Sequence, residues 1–382
     1  MRQTLIVYFL FGLFLWQGCT NNSATQKTLT YDIDLTKNIT YPFSEFMSVS
    51  RVVHLETDSN SLLKGVERIR VTDDYIFIFS NREVVKVFSH DGKYLHDIGK
   101  KGKGPEELLM ATDFDISPDM KEVAIWDRNR SELKLYKING DFIKSIRSPK
   151  IQWVFRVCWL KQNRFLLSSL NRPQEDKRYQ IYLLDESLNV IKGMIPYDKK
   201  LDFWTITGPL FVKDSEGTAH FRHPFGTEIY EVANDAHKKY NLNFGQHQLN
   251  NSDKERFAKN SKLLFTSPKA IVIRYQETDR YIYCRHQFEN RSYSLLINKK
   301  TKEQKRYNHS NPFDYSAFIS IVGVYKNSFV GLINPYKLRE KLSKINKSDE
   351  VKHKADIEYW KNIAKDTEDT DNPIIVFLKP EK

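Results

Sequence analysis

The sequence predicts an all-β fold, a six-bladed β-propeller with a helical insertion in its last blade, and three observations carry that expectation. A unit of about 48 residues recurs along the chain. Its strands flank Asp-Gly or Asn-Gly turns. An apolar strand with no unit of its own stands near each end.

The repeat shows in "YIFIFSNREVVKVFSHDGKYLHDIG" from Tyr75 and "VAIWDRNRSELKLYKINGDFIKSIR" from Val123, which place Asp91-Gly92 and Asn139-Gly140 48 residues apart. In that register Ile78 matches Trp126, Asn81 matches Asn129, Phe88 matches Tyr136, Tyr94 matches Phe142 and Ile98 matches Ile146. A further step reaches Leu184, Val190 and Met194, with Ser187-Leu188 at the turn. Looser copies begin at Pro209, Ala270 and Phe318. Asp-Gly and Asn-Gly suit a type I′ turn, whose two central residues both need positive φ. Units of this length with about four short strands each are propeller blades, and no blade can bury both of its faces alone. The ring must therefore close. "SRVVHLETD" (Ser50 to Asp58) and the C-terminal "NPIIVFLKP" are expected to share one blade, with a closing strand over 373–379, so that no sheet edge is left hanging.

Between Tyr336 and Asp366 the period changes. Leu338, Leu342 and Ile345, then Ile357, Trp360 and Ile363, follow helical spacing in a Lys/Glu-rich background, which predicts an amphipathic insertion over about 336–366 packed on the last blade.

The N-terminus reads as an export signal over 1–18. Arg2 precedes an apolar run from Leu5 to Trp16, then "QGC", and the chain turns polar at once. Gly18-Cys19 resembles a bacterial lipobox, in which Cys19 is lipidated and becomes the new N-terminus; Trp16 and Gln17 depart from the usual pattern. Residues 19–40 are then expected to be a tether and 41–382 the propeller. The formal charge of +12 comes from scattered lysines, which reads as a solvated basic surface, and nucleic acid is not an expected partner. Cys158 and Cys284 lie in apolar strand-like runs, and with no CxxC or Cys/His cluster a structural zinc site is not expected.

The glycines of "HDIGKKGKGPEEL" (His96 to Leu108) do not form a phosphate cradle. A Walker loop leads through Lys-Ser/Thr into a helix, whereas Gly104 is followed by Pro-Glu-Glu, and Glu107 stands where a dinucleotide fingerprint has its third glycine. The cluster reads as a connection between blades. The chain resembles the six-bladed β-propeller lipoproteins of Bacteroidetes, relatives of TolB-like and NHL-type propellers. Four features carry the resemblance: the opening "VVHLETDSNSLLKGVERIRVTDDYIFIFS", the G-x-G-P-x-E core at Gly102, Gly104, Pro105 and Glu107, "PFGTEIYEV" in the fourth unit, and the helical insert before "NPIIVF". The resemblance implies a lipid-anchored protein of the Gram-negative envelope, in the outer membrane. "TNNSATQ" after Cys19 lacks acidic residues, which favours the periplasmic face over the cell surface.

No G-x-S-x-G elbow or HExxH helix occurs, and Asp113, Asp115 and Asp119 lack the glycine and closing glutamate of an EF-hand. The ten histidines form no ligand set, and His220 and His223 at i, i+3 do not share a strand face. No catalytic residue, metal or cofactor is therefore expected. The segments around Trp153 and Arg156, Phe203 and Trp204, and Arg222 and His223 combine aromatic faces with cations, which suits stacking on sugars or gripping a peptide. The sequence reading is a non-enzymatic binding or scaffold propeller for a glycan, a peptide or an envelope protein. A metal-assisted hydrolase or lyase using the axial channel is the alternative. The lipobox reading predicts that C19S abolishes labelling by an alkyne fatty acid and moves the protein out of the membrane fraction; unchanged labelling contradicts it.

Overall fold

The computed structural model describes residues 27–36, 43–148, 150–169, 179–197, 210–222, 226–260, 263–309, 319–345 and 354–381. Two strands come first, β1 (Leu29–Asp32) and β2 (Met47–Val53). Four blades follow: β3 (Arg68–Val71), β4 (Tyr75–Ser80), β5 (Val84–Ser89) and β6 (Tyr94–Ile98); β7 (Ala111–Ile116), β8 (Glu122–Asp127), β9 (Glu132–Lys137) and β10 (Phe142–Arg147); β11 (Arg156–Leu160), β12 (Arg164–Ser168), β13 (Tyr179–Leu184) and β14 (Val190–Pro196); β15 (Phe211–Lys213), β16 (Ala219–Arg222), β17 (Glu228–Val232) and β18 (Ala236–Asn243). The fifth blade holds β19 (Ile271–Glu277), β20 (Tyr281–Phe288), β21 (Arg291–Asn298) and β22 (Gln304–Asn308). The sixth holds β23 (Ser320–Tyr325), β24 (Ser328–Ile333) and β25 (Ile374–Pro380). The first strand of each blade is innermost, and these strands pack in a circle: β3 on β7, β7 on β11, β11 on β15, β15 on β19, β19 on β23, and β23 back on β3. The fold is a six-bladed β-propeller.

Blade packing explains why the inner two strands of a blade read as unbroken apolar runs. In "YIFIFS", Phe77 and Phe79 pack with Phe114 and Ile125 of blade 2, while Ile76 and Ile78 pack with Val330, Ile375 and Phe377 of blade 6. Each face of the sheet is buried against a different neighbour, so both sets of alternating side chains are apolar. Six core clusters result, one at each junction between blades.

The ring closes as an N- and C-terminal joint. β2 runs antiparallel to β25 on the outside of blade 6, with Val52 opposite Val376 and Val53 opposite Ile375. The strand lies earlier than the expected Ser50 to Asp58, since residues beyond Val53 leave the sheet to pack Leu55 and Leu63 into the junction of blades 6 and 1. Asn372 fastens the same joint by donating to the carbonyls of Glu56 (2.7 Å) and Ser61 (3.1 Å) and accepting from Leu63 N.

The stretch read as tether is not all tether. β1 adds in parallel to β18 as a fifth strand of blade 4, burying Tyr31, Ile33 and Leu35. The strand is short, its alternation spans only three buried positions, and it belongs to no repeat, so the sequence pattern passed it over. From there the chain crosses blade 5, where Gln304 and Arg306 donate to the carbonyls of Asp32 (2.9 Å) and Leu35 (3.3 Å). The N-terminal segment thus straps blades 4 and 5 together before β2 enters blade 6.

The expected type I′ geometry at the Asp-Gly and Asn-Gly turns is absent. Only the glycines have positive φ, Gly92 at 91° and Gly140 at 95°. Gly92 N donates to Ser89 O, Gly140 N donates to Lys137 O, and a bulge follows each. This is a type I turn with a glycine bulge. At Gly92 a Cβ would lie 2.0 Å from the His54 carbonyl, so neighbouring backbone enforces the choice. The third unit keeps the geometry without glycine, since Leu188 adopts φ 61° and its buried side chain packs in the core.

The connection after blade 1 is stapled by its own motif. Glu107 accepts from Gly104 N at 2.8 Å, and a Cβ on Gly102 would sit 1.9 Å from the Glu107 carboxylate. Blade 2 holds the loop carbonyls: Lys134 donates to Pro105, Tyr136 to Glu106 and Arg130 to Lys103. Gly102, Gly104, Pro105 and Glu107 therefore form a clasp between blades that blade 2 holds in place.

The helices Pro335–Ser343 and Lys354–Lys365 lie between β24 and β25, with Leu338, Ile357, Trp360 and Ile363 packed on the junction of blades 5 and 6. A second insertion, which the repeat did not foretell, holds the helix Asn251–Lys259 between blades 4 and 5. Asn250 and Asp253 close a reciprocal capping box on it. Among the described residues no helix is long and apolar enough to cross a membrane. F377A, which empties a nearly buried site in the closing strand, is expected to cost about 3–5 kcal/mol in chemical denaturation; a cost below about 1 kcal/mol contradicts the proposed closure.

Candidate functional site

Innermost strands are edge strands, and their inward amides have no ladder partner. Side chains supply one here. The carboxylates of Asp113 and Asp115, two residues apart on β7 and so on one face, accept from Val157 N (3.0 Å) and Trp159 N (2.8 Å) of β11. On their other side they meet β3: Arg68 pairs with Asp113, and Arg70 Nε donates to Asp115 at 2.9 Å. Lys213 of β15 reaches Asp115 at 2.7 Å. Two carboxylates thus join the innermost strands of blades 1 to 4.

Asp115 is fully buried. Burial alone would raise its pKa, but Lys213, Arg70 and Arg68 outweigh that and hold the carboxyl far below its ordinary range. The acidic set noted in the sequence is therefore two structural anions and one surface residue, Asp119, which accepts from Ser117 at the turn after β7.

Three arginines, Arg156, Arg222 and Arg274, come near one another towards the face of the ring where the innermost strands begin, here called the upper face. Arg156 opens β11, and its Nη1 donates to the carbonyls of Phe155 (2.8 Å) and Thr112 (3.4 Å). Arg222 ends β16 and is fully buried, its Nη1 donating to Val272 O at 2.8 Å. Nε and Nη2 of Arg222 are also buried and have no partner among the described residues. Burial pushes its pKa down to about 10; Cys284 opposes this, and the nearby charges of Arg274 and Arg156 add to it. It stays a cation at neutral pH. Arg274 on β19 is partly exposed, burial lowers its pKa, and among the described residues no carboxylate pairs with it. Keeping an ionised group buried with donors unmet costs on the order of several kcal/mol.

Trp153, just before β11, is 49 % exposed between buried Ile151 and Val154 and has φ 55°. Its indole faces solvent with the Arg128 guanidinium 5.5 Å from the ring centre. The structure thus places three of the expected ligand-binding residues, Trp153, Arg156 and Arg222, and sets the two arginines on one face of the ring. Phe203, Trp204 and His223, with Cys19, lie outside the described residues. Sequence reading missed Arg274, Arg68, Arg70 and Lys213. The signal was present, since each is a cation inside a short apolar strand ("IVIRY", "RIRV", "FVK") that begins a blade.

One group has ligand-like spacing for a metal: Asp214, His220 and Glu277, whose donor atoms lie within 4.8 Å of one another. Its chemistry does not fit a cation. Buried Glu277 already meets Lys299 at 2.8 Å, Lys239 at 3.6 Å and the hydroxyls of Tyr240 (2.9 Å) and Tyr275. His220 donates to or accepts from Asp214 at 3.0 Å. Burial would raise the Glu277 pKa, yet His220, Lys239 and Lys299 hold it below the usual value. Two ammonium groups supply the positive charge a metal would bring, and the cluster locks blade 4 to blade 5. Cys158 and Cys284 are free thiols in the core, pushed up to about 12 by burial and so inert at neutral pH.

Comparison with known proteins agrees with the architecture. A family profile described as "Domain of unknown function (DUF4934)" matches residues 29–379. A solved protein of Bacteroides fragilis NCTC 9343, described as exported, superposes with a TM-score of 0.75 at 16 % identity, over 93 % of this chain and 100 % of that one. A member of the DUF4221 family from Bacteroides vulgatus superposes with a TM-score of 0.55 at 10 % identity, covering 88 % of this chain and 98 % of the other. At these identities the likeness is one of fold. No curated protein matches the chain.

A carboxylate whose native pKa lies below its unfolded value of about 3.9 contributes its full stabilisation above that value and loses it as pH falls through the native pKa. Wild-type stability is therefore expected to fall with acidification below about pH 4. D115N, which leaves Arg70 and Lys213 facing a neutral amide, is expected to lose about 3–5 kcal/mol at neutral pH and to show a flatter acid slope. An unchanged slope contradicts the assignment.

Proposed function

We propose that this chain, which belongs to the DUF4934 family, is a non-enzymatic binding propeller of the bacterial envelope, anchored through a lipid on Cys19 and engaging a glycan, a peptide or another envelope protein at the upper face of its ring. Export rests on the signal-like N-terminus and the lipobox-like Gly18-Cys19. A periplasmic outlook from the outer membrane rests on the uncharged residues that follow it.

The observation that carries the binding reading is the chemistry of the upper face. A propeller axis used only as scaffold is best filled by apolar groups or matched ions. Here Arg222 and Arg274 have no carboxylate partner among the described residues, Arg156 lies close to Arg222, and Arg222 keeps two buried donors unmet. Trp153 adds an exposed ring on a structured segment, suited to stacking on a sugar or a peptide side chain. Among the described residues no nucleophile–base pair forms within this surface, and in the cluster with metal-like spacing Glu277 is already met by Lys239 and Lys299. The axial chemistry therefore supports recognition better than turnover.

Arrays of bacterial glycans and of peptides, probed with the full chain, test the reading. The expected result is selective retention of at least one ligand class, with W153A weakening it about tenfold through loss of ring contact. Retention of neither class, or binding unaffected by W153A, contradicts it.

A further inference from the structure

The path of the N-terminal strap fixes how the ring sits on a membrane, on the premise that Cys19 carries a lipid. β1 runs parallel to β18 with Leu29 opposite Tyr240, and Thr28 Oγ1 donates to Lys238 O at 3.0 Å. Innermost strands begin at the upper face and the strands of a blade alternate in direction, so β18 starts at the opposite, lower face, from the turn at Asn234 and Asp235. The chain therefore enters blade 4 from below, and buried Tyr31, Ile33 and Leu35 hold it there. Lys27, the first described residue, lies eight residues after Cys19. An extended chain of that length spans at most about 29 Å, so a bilayer holding the Cys19 lipid lies within that reach of Lys27.

The lower rim beside this entry is aliphatic. Leu95, Ile143 and Ile191 recur at the repeat spacing in blades 1, 2 and 3, each the residue left unpaired by the bulge just after the turn between the third and fourth strands. All three are exposed, as is Met120 in the turn between β7 and β8 on the same face; Ile191 and Met120 reach 52 % and 54 %. Lys192, next to Ile191, pairs with Asp235 at 2.6 Å, so the row begins at the turn that leads into β18. A single exposed apolar side chain is ordinary. A set repeated in register on one rim, without polar tips and beside the anchor, fits a lipid surface.

We infer that the lower rim of blades 1 to 3 rests on the phospholipid surface that holds the Cys19 lipid, with Leu95, Met120, Ile143 and Ile191 as its apolar contacts. The short reach from Cys19 brings the bilayer to the rim of the ring near blade 4, and the aliphatic row decides which face turns towards it. The upper face, with Trp153, then points away from that bilayer and stays open to ligands.

Fluorescence quenching tests this on the mature chain in vesicles of phosphatidylethanolamine and phosphatidylglycerol that contain a spin-labelled phospholipid. Bimane is placed on one introduced cysteine at a time: I143C and I191C on the lower rim, and L109C on the connection between blades 1 and 2 at the upper face, where Leu109 is also exposed. Cys158 and Cys284 are buried and stay unlabelled. The expected result is at least about threefold stronger quenching at I143C and I191C than at L109C. Equal quenching at the two faces, stronger quenching at L109C, or none at any position overturns the inference; the protein is still vesicle-bound in each case, so the anchor reading survives. A mature chain that carries no lipid and binds no vesicle overturns both. Circular dichroism checks each variant, and where one does not fold, amine acetylation of the wild type decides. Vesicles should then protect exposed Lys121 and Lys144 of the lower rim about threefold more than exposed Lys100 and Lys103 of the upper connection; equal protection overturns the inference.

Discussion

Every blade of this protein has two apolar faces, and that constraint organises the rest. A sheet with one apolar face can sit on a single neighbour, but "YIFIFS" presents Phe77 and Phe79 to one side and Ile76 and Ile78 to the other. Such a strand is satisfied only when flanked twice, and a row of such sheets has no end except in a circle. The pairing of β2 with β25 makes the circle from a linear chain. Val53, Ile375 and Phe377 lie in one cluster with Ile69 and Ile78 of blade 1, so closure and core burial are the same event there.

Closing a ring creates an inner rim of edge strands, and the chemistry of the axis follows from that. Amides of β11 that cannot pair with another strand donate to the carboxylates of Asp113 and Asp115, whose charge calls for Arg68, Arg70 and Lys213. A set of opposite charges thus braces one stretch of the axis. On the upper face, Arg222 and Arg274 have no carboxylate partner among the described residues. This gathering of arginines, with Arg156 and Arg274 partly exposed, is why recognition is assigned there.

Much of the ring was legible in the sequence because repetition amplifies weak signals. One hairpin alone is ambiguous, but Asp91-Gly92 and Asn139-Gly140 in one register, with aromatic and aliphatic residues matched around them, define a unit. The helical insertion was equally visible in the spacing of Leu338 and Trp360. Elements outside the repeat were hidden. β1 is four residues long and pairs with a strand more than two hundred residues away, so nothing local marks it. Turn chemistry was misread because Asp-Gly serves both a type I′ turn and a type I turn with a glycine bulge; the His54 carbonyl behind Gly92 belongs to distant chain. The site was half legible: Trp153, Arg156 and Arg222 stood out by composition, but nothing in the sequence tied Arg274 to Arg222, and only the ring brings the two near each other.

Closure of the ring through the chain ends is the central claim, and native-state hydrogen exchange tests it directly. Amides of β25 and β2 that bond to one another should exchange as slowly as those of β4 and β8, through global unfolding alone, because the joint cannot open without exposing two blade faces. Fast exchange confined to β2 and β25, with the other blades still protected, would show an open ring and contradict the account.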